Sequence, residues 1–195
     1  MNTQTQKIST FSLSHLLTFS LLTFSLLTFS LLTSCTSEQQ KLETAIAAKE
    51  KELYGDSTMT VDFSKAKDMI ALYADFVKKY PEDKKAEDYL FKAGEVSMGV
   101  MQSNVAIKYF EQYYEKYPKS DKAPYSLFMQ GFIYETQVKN IEKAKWCYEK
   151  FIHDFPTHKL ASDATYSIAN LGKSEEDLIR EFEAKIKGDS LSAAK

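Results

Sequence analysis

Three aromatic-proline pairs recur along this chain at nearly fixed spacing: Tyr80-Pro81, Tyr117-Pro118 and Phe155-Pro156, with the prolines 37 and 38 residues apart. A proline has no N–H to donate, and its ring disfavours helical backbone at the residue before it. Each pair therefore ends a helix. Upstream of each lies the same spacing: Met69, Tyr73, Phe76, Tyr80; then Ala106, Phe110, Tyr113, Tyr117; then Ala144, Tyr148, Phe151, Phe155. Steps of 4, 3 and 4 put all four side chains on one helical face. Downstream the pattern also repeats. Ala86, Ala123 and Ala161 stand five residues past each proline; Phe91, Phe128 and Tyr166 stand ten past; Gly94, Gly131 and Ala169 stand thirteen past. Small residues at that last point allow a neighbouring helix to come close. Each unit is thus a pair of helices, the second closed by a proline.

The expected helices cover about 38–54, 63–80, 83–98, 103–117, 121–138, 140–155, 158–171 and 174–187. Ser37 to Gln40 reads as a capping box for the first, which Gly55 closes. Asp56 to Val61 reads as a polar turn. Ser174 caps the last helix, whose apolar stripe is Leu178, Ile179, Phe182 and Ile186, and Gly188 is expected to end it.

The spacing from Gly94 through Ala106 and Phe110 to Pro118 resembles the tetratricopeptide-repeat (TPR) family, and Gly131, Tyr134, Ala144, Tyr148 and Pro156 follow it with one extra residue near Lys139-Asn140. The resemblance covers about residues 63–172. It implies an all-α fold: a TPR-like right-handed α-solenoid of about eight antiparallel helices in three to four repeats.

The N-terminus differs in kind. Residues 16–30 are three copies of Leu-Leu-Thr-Phe-Ser, and Lys7 is the only charge in the first 34 residues. The uncharged run Leu16–Leu32 is short and hydroxyl-rich for a membrane span, which needs about 20 mostly apolar residues. It suits the apolar region of a secretory signal. Its end, Leu32-Thr33-Ser34-Cys35, resembles a lipobox. The resemblance implies a signal peptide over 1–34, removed before Cys35, and acylation of Cys35 by a diacylglyceryl group with palmitate among its chains. An ordinary signal peptide cut near Ser34, or an uncleaved anchor, is the alternative. The domain order expected is then a lipidated Cys and short tether at 35–41, the helical domain at 42–187, and a flexible tail at 188–195. With Cys35 acylated, Cys147 has no disulfide partner. It falls on the inward face of its helix, as a small buried hydrophobe or, less simply, a reactive thiol.

Composition narrows the function. There are 25 Lys+Arg against 27 Asp+Glu, a formal net charge of −2, and Arg180 is the only arginine. That balance gives no general attraction to polyanions, so no nucleic-acid partner is expected. His153 and His158 flank Phe155-Pro156 at a spacing unlike a metal motif, so they read as surface residues and no metal is expected. There is no phosphate-binding glycine loop and no nucleophile elbow; neither catalysis nor a cofactor is expected.

In TPR proteins the first helices line the concave groove. Phe91, Phe128 and Tyr166, with Tyr125 and Phe132, would there form an aromatic ladder that binds a partner. The competing reading packs these rings between adjacent helices. The lysine of the TPR carboxylate clamp is absent from that place, which excludes the chaperone-tail partner class. Among TPR proteins, residues 106–123 and 144–161 most resemble two cell-envelope groups, the BamD-like lipoprotein of outer-membrane assembly and the periplasmic TPR domain of the Tol system. The expectation is a non-enzymatic, membrane-anchored bacterial lipoprotein, facing the periplasm from the outer membrane, whose TPR scaffold binds a protein or peptide. The alternatives are a purely structural subunit of an envelope complex, or a glycan-binding accessory lipoprotein.

Overall fold

The structure is a computed structural model that describes residues 38–55 and 62–193, with side chains described as far as 187. The leader, Cys35, Ser37 of the expected capping box, and the expected turn at 56–61 lie outside the described residues. The chain divides into two compact units, Met1–Ala45 and Ile46–Lys195. The described part of the first is helical from residue 38 onward, so residues 38–41 of the expected tether are already helix.

The described residues form eight helices and no strand: α1 (38–54), α2 (Phe63–Lys79), α3 (Lys84–Gly99), α4 (Ser103–Lys116), α5 (Ala123–Ile133), α6 (Ile141–Asp154), α7 (Ala161–Asn170) and α8 (Glu175–Ala193). From α2 to α7 each helix packs on the next in chain order. Short turns between packed neighbours make them antiparallel. This is the TPR-like α-solenoid that the repeat predicts.

The repeated face is the core. Met69, Tyr73, Phe76, Ala106, Phe110, Tyr113, Ala144, Tyr148 and Phe151 are all fully buried. Each large one contributes about 1.5–3 kcal/mol of burial. The fourth position, Tyr80, Tyr117 and Phe155, is half-buried and caps its helix with near-identical backbone angles, φ −128°, −123° and −133°. The turn that follows is built the same way three times. Asp83, Ser120 and His158 each donate their N–H to the carbonyl of that aromatic residue. Their side chains then accept from the N–H two residues on, at Lys85, Lys122 and Leu160. His158 therefore closes the turn that leads into α7.

The two inner glycines sit where the helices meet. A Cβ on Gly94 would lie 2.9 Å from the Phe110 ring, and one on Gly131 would lie 2.9 Å from the Tyr148 ring. These rings occupy the same place in their units. Both helix pairs close on one contact, a bare backbone against an aromatic edge.

The extra residue of the last unit is absorbed by a π-helical turn, Tyr134–Val138, that continues α5. Lys139 then takes a left-handed conformation, φ 60°, and the Asn140 N–H donates to the Tyr134 carbonyl at 2.8 Å. The turn aims Gln137 back across the fold. Its amide N–H donates to the Met98 carbonyl near the end of α3, and its Oε1 accepts from the Ser103 hydroxyl at the start of α4.

The C-terminus departs from expectation. The turn after Pro156 consumes residues to Leu160, so α7 starts at Ala161 rather than 158. Gly188 does not end α8, which runs on to Ala193 through the segment expected to be a flexible tail. A glycine terminates a helix when it takes a left-handed turn; Gly172, at φ 79°, does so after α7. The apolar stripe of α8 is not sheathed: Ile179, Phe182 and Ile186 are more than half exposed.

Candidate functional site

A groove runs over α1, α3 and α5. It consists of two adjoining cavities. The larger, about 690 Å³, lies among residues 50–54 of α1, Ala66 of α2, and Lys92, Glu95 and Val96 of α3. The smaller, about 300 Å³, lies between α3 and α5, lined by Phe91, Glu95, Met98, Lys122, Tyr125 and Met129. Glu95 belongs to both. Most of the wall is apolar, and two methionines give it side chains that adapt their shape.

A chain of alternating charges crosses this surface. Lys122 Nζ lies 2.8 Å from Asp88, which is 3.0 Å from Lys92, which is 2.9 Å from Glu50. Glu50 also accepts a 2.7 Å hydrogen bond from the buried Tyr73 hydroxyl. Burial opposes the charge on Lys92, but Glu50 and Asp88 outweigh it and hold its pKa well above the ordinary lysine value. Lys122 also stands 5.0 Å above the Phe91 ring. These charges neutralise one another across α1, α3 and α5 and fix the first helices relative to each other.

The five aromatic residues predicted to form a ladder do not behave alike. Phe91 is 7% exposed, packed edge-on against Phe110 and Tyr113, with one edge on the smaller cavity. Tyr125 is half-buried, lines that cavity, and meets His158 and Lys159 on its other side. Phe128 is half-buried between Tyr148 and Phe151. Phe132 is 39% and Tyr166 68% exposed. Exposure at the repeated position thus rises from Phe91 through Phe128 to Tyr166. Phe91 and Phe128 each meet the second helix of their own pair, α4 and α6 respectively. Tyr166 on α7 has no such partner covering it. Phe91 and Tyr125 are brought together at the groove; the other three are not.

Sequence reasoning missed Glu95, Lys92 and Lys122. Glu95 stands fourteen residues past its proline, the same place as Phe132 in the next unit. The repeat register could have found it had charges been tracked as well as rings.

Elsewhere the chemistry is quiet. The Cys147 thiol is buried, and burial pushes its pKa up to about 11, which keeps it protonated and unreactive near neutrality. His153 is exposed against Asp154. No described helix is long and apolar enough to cross a membrane.

The family model for the tetratricopeptide repeat matches residues 88–120. That stretch holds most of α3, all of α4 and the turn after Pro118, including Gly94 against Phe110. Comparison with curated proteins gives no match. The chain contains a TPR repeat within an all-helical TPR-like fold, an architecture that serves as a scaffold for protein partners.

Proposed function

We propose that this chain is a bacterial envelope lipoprotein, held to the membrane through acylated Cys35, whose TPR-like domain binds a protein or peptide segment and performs no catalysis. The observation that carries the binding reading is the pair of adjoining, mainly apolar cavities over α1, α3 and α5. Grooves on solenoids take extended segments through successive side-chain pockets. Anchoring rests on the leader and on Leu32-Thr33-Ser34-Cys35. A place in outer-membrane assembly or maintenance rests on the envelope-type repeats at 106–123 and 144–161.

A second reading, a structural subunit held by its outer surface, is favoured by Trp146, a large ring left 58% exposed on α6. Co-purification in mild detergent with two variants separates them. Tyr125→Ala opens the groove wall, and Trp146→Ala strips the α6 face. The groove reading expects Tyr125→Ala to weaken partner recovery about tenfold or more, as loss of an interface anchor does, with Trp146→Ala near wild type. The opposite order establishes the outer surface as the docking face.

A further inference from the structure

With Glu95 counted beside the balanced chain of Glu50, Lys92, Asp88 and Lys122, the groove carries one acid in excess. Glu50, Asp88 and Glu95 face Lys92 and Lys122, and the two lysines are both engaged by Glu50 and Asp88. Glu95 makes no hydrogen bond or ion pair among the described residues, yet it forms the wall that the two cavities share. Glu50, Asp88, Lys92 and Lys122 each pair with a charge on a neighbouring element, whereas Glu95 stands exposed on the groove wall, near Lys92 and Lys122 but paired with neither among the described residues. On either side of it the surface is apolar: Val96, Leu53 and Tyr54 toward the larger cavity, Met98, Tyr125 and Met129 toward the smaller.

We infer that the groove selects a basic segment of a partner protein, in which one Lys or Arg meets Glu95 and apolar side chains on either side fill the two cavities. This rests on the groove reading above and gives it a partner chemistry. An extended segment turns alternate side chains to the same side. The residues two before and two after the cation therefore reach the surface together with it. The apolar pockets supply affinity, and the single charge sets which segment is accepted, since a like charge placed there is rejected. Burial holds the Glu95 carboxyl above the ordinary carboxylate range, with Lys122 drawing it partly back. A cation brought against it favours the charged form of the carboxyl.

The test is selection of random nonapeptides displayed against the immobilised full chain in mild detergent, for wild type, Glu95→Gln, Glu95→Lys and Tyr125→Ala. Circular dichroism melts of each variant check the fold. Wild type should enrich peptides with a Lys or Arg flanked at two residues' distance by Leu, Ile, Met, Phe or Tyr. Glu95→Gln should bind an enriched peptide about tenfold more weakly, and Glu95→Lys should turn the preference to Asp or Glu at the centre. A basic preference that survives both substitutions overturns the assignment to Glu95. Peptides enriched without a basic residue, but lost in Tyr125→Ala, overturn the partner chemistry and leave the groove standing. Enrichment indifferent to Tyr125→Ala removes the groove itself.

Discussion

Gly94 and Gly131 show how little space separates the two helices of a pair. A Cβ on Gly131 meets the Tyr148 ring at 2.9 Å and Cys147 Cβ at 3.2 Å, both in the interior. Neither neighbour is the far end of a flexible chain, so a larger residue must push α5 away from α6. Gly131→Leu should cost about 1–3 kcal/mol through overpacking. For a chain of this size the melting temperature should fall by about 2–4 °C per kcal/mol. Thermal melting followed by circular dichroism reads it, and an unchanged melt would mean the helices do not meet there. The aromatic slots carry a second residue-scale lesson. Tyr73, Tyr113 and Tyr148 are fully buried, yet each hydroxyl reaches a carboxylate, on Glu50, Glu87 and Glu135. Periodicity alone places these rings inward; it says nothing of where the hydroxyl goes, because the acceptor is on another helix in every case.

At the scale of the helix, α6 ends on an acid, Asp154, where the helix dipole disfavours negative charge. Its surroundings reverse that. Lys150 at 2.7 Å, His153 and the Tyr114 hydroxyl at 2.8 Å hold its pKa well below the ordinary carboxylate range. Tyr114 belongs to α4, so the acid ties one second helix to the next. A carboxylate with a depressed native pKa adds stability that is present above its unfolded value of about 3.9 and is lost as pH falls toward the native value. Asp154→Asn should therefore lower stability at pH 7 by about 1 kcal/mol. The gap to wild type should narrow below about pH 3.9. Melts across pH check the sign; a gap that stays constant would separate the effect from ionisation. Helix number, and the boundaries before the start of α7, were legible in the sequence because proline, alanine and the aromatic steps act within one helix. The π turn, the open stripe of α8 and the charge chain over the groove were not legible, since each depends on which helices end up side by side. The uneven exposure along the expected ladder has the same cause. Phe91, Phe128 and Tyr166 share a register, but α4 covers the first, α6 half-covers the second, and nothing comparable covers the third.

For the molecule as a whole, the proposed anchor makes a clear prediction. Cys35→Ser should leave a full-length precursor or a soluble secreted form, since without acyl chains of about 0.8 kcal/mol per buried CH₂ the attachment is lost. Membrane fractionation and the mass of the N-terminus read the outcome; a cleaved, unlipidated variant that remains membrane-bound would dismiss the lipobox. The π turn at Tyr134–Val138 bears on the chain's whole plan. One additional residue entered between Gly131 and Ala144, yet Ala144, Tyr148 and Phe151 remain fully buried, and the added turn supplies Gln137 as a bridge between α3 and α4. Unit length and side-chain facing are thus separate quantities in this architecture. The chain keeps time by where its rings point, not by how many residues lie between them, so a miscount in one unit need not be passed on to the next.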